Sequence, residues 1–280
     1  MGHMGTGPHQ PQGPQPLPGI ANIVAIGSGK GGVGKTTISV NLAVALARSG
    51  YKVGLIDADI YGPNVPLMMG ATRQPNIVGE NRIEPLMAHG VKFISVGLIS
   101  PGDKPMVMRG PMLHQIIRQF LQQVEWGTLD FLLVDLPPGT GDVVISLFQT
   151  VPLTGAVVVS TPSDVALQDA RKALEMFHQV NVPILGVVEN MSHFNCPHCH
   201  HVIDIFSKGG AERMARQFGL TFLGSVELDS EIRSGGDTGL PIALGGPESE
   251  KAKQFYAVAA LVAERAQAQS ARSEDVLEIR

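Results

Sequence analysis

Gly27-Ser28-Gly29-Lys30-Gly31-Gly32-Val33-Gly34-Lys35-Thr36-Thr37 decides how this chain is read. It fits the phosphate-loop pattern G-x-x-x-x-G-K-[ST], with Gly29, Gly34, Lys35 and Thr36 at the fixed places. Glycines let backbone N–H groups close around phosphate oxygens without Cβ collisions. Lys35 supplies a point charge for the β- and γ-phosphates, and the Thr36 hydroxyl is a ligand type suited to Mg²⁺. Gly31, Gly32, Val33 and Thr37 complete the loop. The flanks agree with this reading. Asn22-Ile23-Val24-Ala25-Ile26 is expected to be a buried strand before the loop. Thr37 to Ala47 is expected to be a helix after it, with its anion-favouring end at the loop.

Further along the chain, Val53-Gly54-Leu55-Ile56 reads as a second buried strand ending in Asp57-Ala58-Asp59. In open α/β sheets, ligands sit at the carboxyl ends of the strands, where these two acids fall. Ile60 to Pro66 is turn-rich and suits a switch loop. Val91 to Val96 reads as a strand, and Arg109-Gly110-Pro111-Met112 opens a helix to about Gln123. Arg109 is a surface arginine or a phosphate contact and is not assigned to the site. Asp130-Phe131-Leu132-Leu133-Val134-Asp135 is an apolar strand ending in a carboxylate, the Walker B arrangement, so Asp135 is expected to hold Mg²⁺ through water. Leu136-Pro137-Pro138-Gly139-Thr140-Gly141-Asp142 follows as a stiff loop placed to feel the γ-phosphate.

Gly155 to Ser160, Pro183 to Val188 and Leu220 to Ser225 add three more strands. Helices are expected from Val165 to Gln179, Gly210 to Phe218 and Glu248 to Gln267. Residues 70–90 read as irregular. Strands and helices alternate, and the strand runs are continuously apolar. The expected fold is therefore α/β: a mostly parallel sheet of about seven or eight strands with helices on both faces.

Composition limits the alternatives. The chain has 280 residues, 44% hydrophobic and 16% charged, enough for a large core. A net charge of −4 argues against a nucleic-acid partner. No apolar run approaches the ~18 residues of a membrane span, and the N-terminus has no apolar signal core. Residues 1–18 hold five prolines and four glycines and are expected to be a disordered leader, whose Met1-Gly2-His3-Met4 looks like a cloning remnant. Residues 19–268 are expected to form one domain, and residues 269–280 a loose acidic tail.

The chain has two cysteines, Cys196 and Cys199, inside His193-Phe194-Asn195-Cys196-Pro197-His198-Cys199-His200-His201. A C-x-x-C turn presents two thiolates to one metal or cluster. Zinc and [4Fe–4S] sites usually take four ligands, and two chains about a two-fold axis would supply four thiolates. A monomeric Cys/His zinc site and a thioredoxin-like dithiol are the alternatives. A dithiol of that kind belongs at a helix start after a first strand, which is not the place here.

The second loop lysine, Lys30, gives the pattern K-G-G-x-G-K-[ST], which resembles the deviant-Walker-A ATPases. With Asp57-Ala58-Asp59-Ile60-Tyr61-Gly62-Pro63-Asn64, Asp135 to Asp142 and Cys196-Pro197-His198-Cys199, the chain resembles the Mrp/ApbC family of iron–sulfur carrier ATPases over residues 20–265. That resemblance implies a cytoplasmic homodimer that binds and slowly hydrolyses ATP with Mg²⁺, holds a labile [4Fe–4S] cluster between subunits and passes it to apo-proteins. It implies that Lys30 reaches the partner's nucleotide, that Asp59 orients or activates the attacking water and that Asp57 supports Mg²⁺ through water. It also implies that Asn190 reads the adenine edge. Relatives often carry prolines where this chain has Glu227 and Ser230. Two rival readings exist: a MinD/ParA-like spatial organiser, which usually ends in a basic amphipathic helix unlike the acidic end here, and a zinc-binding metal-insertion ATPase, since four thiolates suit zinc equally.

Overall fold

The structure, a computed structural model, describes residues 14–71, 73–79, 82–99, 110–139 and 142–278. The first thirteen leader residues, Arg109 and Thr140-Gly141 lie outside the described residues. In chain order the elements begin with β1 (Ile20–Gly27), α1 (Lys35–Arg48), β2 (Val53–Asp57), α2 (Val65–Met68), β3 (Ile77–Val78), β4 (Arg82–Ile83), β5 (Leu86–Ala88) and β6 (Val91–Ser95). They continue with α3 (Val96–Ile99), α4 (Gly110–Gln122), β7 (Leu129–Asp135), α5 (Asp142–Thr150), β8 (Gly155–Ser160) and α6 (Asp164–Gln179). The last part holds β9 (Ile184–Asn190), β10 (Phe194–Asn195), β11 (Val202–Ile203), α7 (Gly210–Gln217), β12 (Phe222–Val226), α8 (Ser230–Thr238) and α9 (Lys253–Glu278).

The central sheet has eight strands in the order β12-β9-β8-β1-β7-β2-β6-β5. Every pairing in it is parallel except β5 with β6. The pleat splits each apolar run between two cores. Val24, Ile26, Leu55 and Phe131 face α1 and α9, packing against Ile38, Leu42, Phe255 and Val262. Ile23, Ala25, Ile56 and Leu132 face the helices α4 to α7, packing against Phe120, Leu147, Phe177 and Met214. Burial on both faces explains why these strands read as continuous rather than alternating apolar runs.

Two expectations need correction. The stretch read as irregular contains β3 and β4, paired with each other, and β5, the antiparallel edge strand that makes the eighth of the sheet. These strands are two or three residues long, too short to show a period. The tail expected from residue 269 instead continues α9 to Glu278. Its alanines, glutamines and arginines are strong helix formers, and Ser270 Oγ donates to Asn22 Oδ1 at 2.8 Å. The helix also begins at Lys253 rather than at Glu248.

The central strands place the site. β1 lies between β7 and β8, so the connections leaving its two neighbours diverge at its carboxyl end. Three strand ends are tied together there: Leu136 N donates to Ile26 O (3.0 Å), Ala58 N to Asp135 O (2.9 Å) and Gly139 N to Ser28 O (2.9 Å).

Candidate nucleotide site and cysteine hairpin

The phosphate loop depends on its glycines at two positions. Gly34 sits at φ 78°, a left-handed conformation, and a Cβ there would lie 2.1 Å from Asn190 Nδ2. A Cβ on Gly29 would lie 2.0 Å from the backbone of Asp169 in α6. The loop therefore fits between α6 and Asn190 only with glycine at both places.

Lys35 opens α1 and is almost fully buried. Its Nζ lies 2.8 Å from Asp135 Oδ2 and 3.7 Å from Asp59 Oδ2. The Thr36 hydroxyl donates to Asp135 Oδ2 at 2.8 Å, and the Ser39 hydroxyl lies 2.6 Å from Asp135 Oδ1. Asp57 is buried beside them. It accepts from Ser95 Oγ (2.8 Å), Asp59 N (3.2 Å) and Val65 N (3.2 Å). Burial and the neighbouring Asp135 charge push the Asp57 carboxyl up to about 7 against these donors. Asp59 is also raised, by burial, while Lys35 pulls it down. Asp59 Oδ1 accepts from Tyr61 N at 3.1 Å, so it organises the start of the turn-rich segment.

Of these groups, Lys35, Thr36 and Asp59 line a cavity of about 750 Å³, within the range of small-molecule sites, with Asp57 and Asp135 buried behind them. Lys30 to Thr37, Asp59 and Asn190 line its phosphate end, with Leu67, Met68, Phe194, Leu228 and Ile232 on an apolar wall. Glycine backbone, a buried ammonium and clustered oxygen donors suit a nucleotide phosphate with Mg²⁺. Thr36 and, buried behind it, Asp135 carry oxygens of the hard type that could hold this cation, with Asp57 beside Asp135. Bound Mg²⁺ would neutralise charge on the phosphate oxygens. Asn190 lines the cavity, and its Nδ2 donates to Val33 O at 2.9 Å, which fixes the loop to the end of β9. Lys30 lines the cavity mouth; among the described residues no carboxylate pairs with it.

The cysteines sit on a separate excursion between β9 and α7. β10 pairs antiparallel with β11, Cys196 N donates to His201 O (3.0 Å) and His200 N to Cys196 O (2.9 Å). This tight turn leaves Cys199 exposed and Cys196 half-buried. The backbone N–H groups of Cys199 and His198, and the Cys199 side chain, hold the Cys196 thiol below its ordinary value. Among the described residues, no group of three or more His, Cys, Asp and Glu could hold a metal ion. One chain thus presents two cysteine side chains at or near the surface, and among the described residues the adjacent histidines do not close a metal site with them.

Four contributors escaped the sequence reading. Ser39 and Ser95 bond the buried acids. Glu189 accepts from Gly209 N (3.0 Å) and Ala211 N (2.8 Å), capping α7 where the chain returns from the excursion. Glu227 accepts from Asn195 Nδ2 at 2.6 Å. Only Ser39 left a trace, one helical turn beyond Lys35 on the same face.

Fold and cavity together define a nucleotide-binding P-loop NTPase of the MinD/ParA type. The family model described as NUBPL iron-transfer P-loop NTPase matches residues 19–263, and the chain belongs to that family. It is 50% identical over 250 residues to the iron-sulfur cluster carrier protein of Aquifex aeolicus, covering 89% of this chain and 69% of that protein. It is 46% identical over 253 residues to the iron-sulfur cluster transfer protein NUBPL of Mus musculus, covering 90% of this chain and 79% of that one. Among solved structures, a nucleotide-binding protein in complex with ADP from Archaeoglobus fulgidus superposes with TM-score 0.74 at 34% identity, covering 86% of this chain and 93% of that one. The cell division ATPase MinD of Pyrococcus furiosus superposes with TM-score 0.67 at 25% identity, over 87% and 99% of the two chains. The cell division ATPase shares the fold, while the higher identity lies with the carriers. Among the described residues no helix is long and apolar enough to cross a membrane.

Proposed function

We propose that this chain is an ATP-dependent iron–sulfur cluster carrier that works in the cytoplasm as a homodimer. Each copy binds ATP with Mg²⁺ at the phosphate loop and hydrolyses it slowly. Two copies hold one [4Fe–4S] cluster between their Cys196 and Cys199 pairs and deliver it to apo-proteins. The cluster is cargo rather than a resident cofactor. The observation that carries this reading is an imbalance: one chain assembles a full set of phosphate-side groups but only half of a four-thiolate site, with that half at the surface. Val202, Ile203, Ile205 and Phe206 are exposed beside the cysteines, an apolar surface that a second copy would cover in this reading.

The residue roles follow from placement. Lys35 neutralises phosphate charge; Thr36 and Asp135 serve Mg²⁺, with Asp57 supporting them from behind. Asp59, at the cavity wall and within reach of Lys35, orients the attacking water. Lys30, free of a carboxylate partner among the described residues, reaches the nucleotide bound by the other copy. Asn190 stands at the base side of the loop. The test is anaerobic reconstitution with iron and sulfide, followed by transfer to an apo-ferredoxin with and without ATP and Mg²⁺. The expected outcome is a transferable cluster and measurable ATP turnover. Stoichiometric zinc without sulfide would replace this reading with the metal-insertion one.

A further inference from the structure

The nucleotide cavity and a second cavity, of about 540 Å³ beside the cysteines, share a wall. Glu227 and Asp229, which follow β12, line both. On the cysteine side, the Glu227 side chain is 12% exposed and accepts from Asn195 Nδ2 at 2.6 Å, directly before Cys196. Gln254 in α9 holds Glu227 from behind: its Oε1 accepts from Glu227 N at 2.9 Å, and its Nε2 donates to Glu227 Oε1 at 3.3 Å. The backbone repeats the tie, with Ser192 N donating to Val226 O (2.9 Å) and Leu228 N to His193 O (2.8 Å). On the nucleotide side, Asp229 caps α8, its Oδ1 accepting from Glu231 N (2.6 Å) and Ile232 N (3.3 Å). Ile232, Arg233 and Gly236 of that helix line the nucleotide cavity.

We propose that Glu227 is a positioning residue that couples nucleotide occupancy to the order of the cysteine hairpin. A ligand filling the nucleotide cavity packs against α8 and Leu228. The stretch Glu227-Leu228-Asp229 is then held at one end by the capped helix and at the other by Gln254. Glu227 transmits that restraint to Asn195, and so to the loop carrying Cys196 and Cys199. The coupling is a restraint on local opening, so its natural readout is backbone order rather than chemistry. It rests on nucleotide binding at this cavity and not on the cluster, so it can be tested on protein without iron.

The experiment is amide hydrogen exchange of the segment 193–203 in the full-length, metal-free protein with and without saturating MgADP, with ADP affinity measured alongside. The expected result in the unaltered protein is slower hairpin exchange with ADP, by roughly tenfold or more, the scale of one charge-assisted hydrogen bond. In Asn195→Ala, whose side chain lines only the cysteine-side cavity, that protection falls to background while ADP affinity stays within about twofold; Glu227→Ala loses the protection too. Glu227→Gln, which keeps an acceptor, restores part of it. Protection that persists in both alanine variants would overturn the proposal. So would the absence of any ADP effect in the unaltered protein, or loss of ADP affinity in Asn195→Ala, which would make the lost protection a consequence of weaker binding. Cluster loading plays no part in these readouts, so failure of the carrier reading would appear separately in iron and sulfide content.

Discussion

Asp57 and Asp135 are register partners on the adjacent parallel strands β2 and β7, which puts two buried carboxylates side by side at the strand ends. One buried ammonium, Lys35, lies 2.8 Å from Asp135 Oδ2, and Asp57 is left to its neighbouring donors. With its folded value raised from 3.8 to about 7, Asp57 holds a proton in the folded state where the unfolded chain has lost it. The folded state therefore binds more protons between those values, and this group makes stability fall as pH rises from about 4 to about 7. The raised Asp59 acts in the same direction. Urea unfolding across that pH window is expected to show the decline, and Asp57→Asn is expected to flatten it. An unchanged slope in Asp57→Asn would show that the proton is held elsewhere.

Two roles are expected of Lys35, and two measurements on one substitution separate them. Its Nζ lies against Asp135 and Asp59, almost fully buried. Lys35→Met leaves Asp135 buried without a counter-charge, a loss of about 3 kcal/mol by the usual cost of breaking a buried pair. It also removes the charge that would meet the β/γ-phosphates. Unfolding without ligand should reveal the first effect and equilibrium titration with ATP the second. Ser39→Ala, which removes only the hydroxyl beside Asp135 Oδ1, is expected to cost about 1 kcal/mol.

Asp59 is expected to be separable from binding. It lies at the cavity wall with Oδ2 3.7 Å from Lys35 Nζ, followed by half-buried Ile60 and exposed Tyr61. Asp59→Ala is expected to leave ATP affinity nearly unchanged and to slow single-turnover hydrolysis by roughly 10²–10⁴-fold, the range for loss of a positioned general base. Normal turnover would remove Asp59 from the catalytic role.

Much of this site was legible because sequence patterns encode backbone demands. The phosphate loop announces itself by glycines that the packing against Asp169 and Asn190 enforces. The strands announce themselves by apolar runs that two helical layers bury. What stayed hidden was contributed by ordinary residues whose meaning comes from pairing. Ser95 is an unremarkable strand serine until β6 lies beside β2 and sets its hydroxyl on Asp57. Glu227 is a surface acid until β12 lies beside β9 and brings Asn195 to it. Strand β5 was missed because three residues carry no periodic signal, and its partner β6 alone makes it a strand.

Lys30 is the test of the dimer. It lines the cavity mouth, and among the described residues no carboxylate neutralises it. A mixed dimer of one Lys30→Ala chain and one Lys35→Ala chain separates two mechanisms. Only the Lys30→Ala chain can bind ATP. If Lys30 acts on the partner's nucleotide, that chain receives an intact Lys30 from the other copy and hydrolysis survives. If Lys30 acts on its own nucleotide, the same chain lacks it and the mixture is inactive. Survival is expected, measured as ATP turnover by purified mixed dimers carrying two affinity tags.

The thiolate count sets the last expectation. Each chain has two cysteines, Cys199 exposed and Cys196 half-buried, in a turn that no nearby His, Asp or Glu among the described residues completes into a metal site. A bridging site at a two-fold axis then yields one [4Fe–4S] unit per dimer, or about two irons per chain. Cys196→Ser and Cys199→Ser each leave two thiolates per dimer, and both are expected to lose the cluster. ATP binding should persist in both, because the phosphate loop is tied to β9 through Asn190 rather than through the cysteine turn. Iron and sulfide assays with Mössbauer spectroscopy, alongside light scattering for mass, provide the measurement. A monomer that holds a complete cluster, or a Cys199→Ser protein that retains one, would exclude bridging and require ligands from outside the pair.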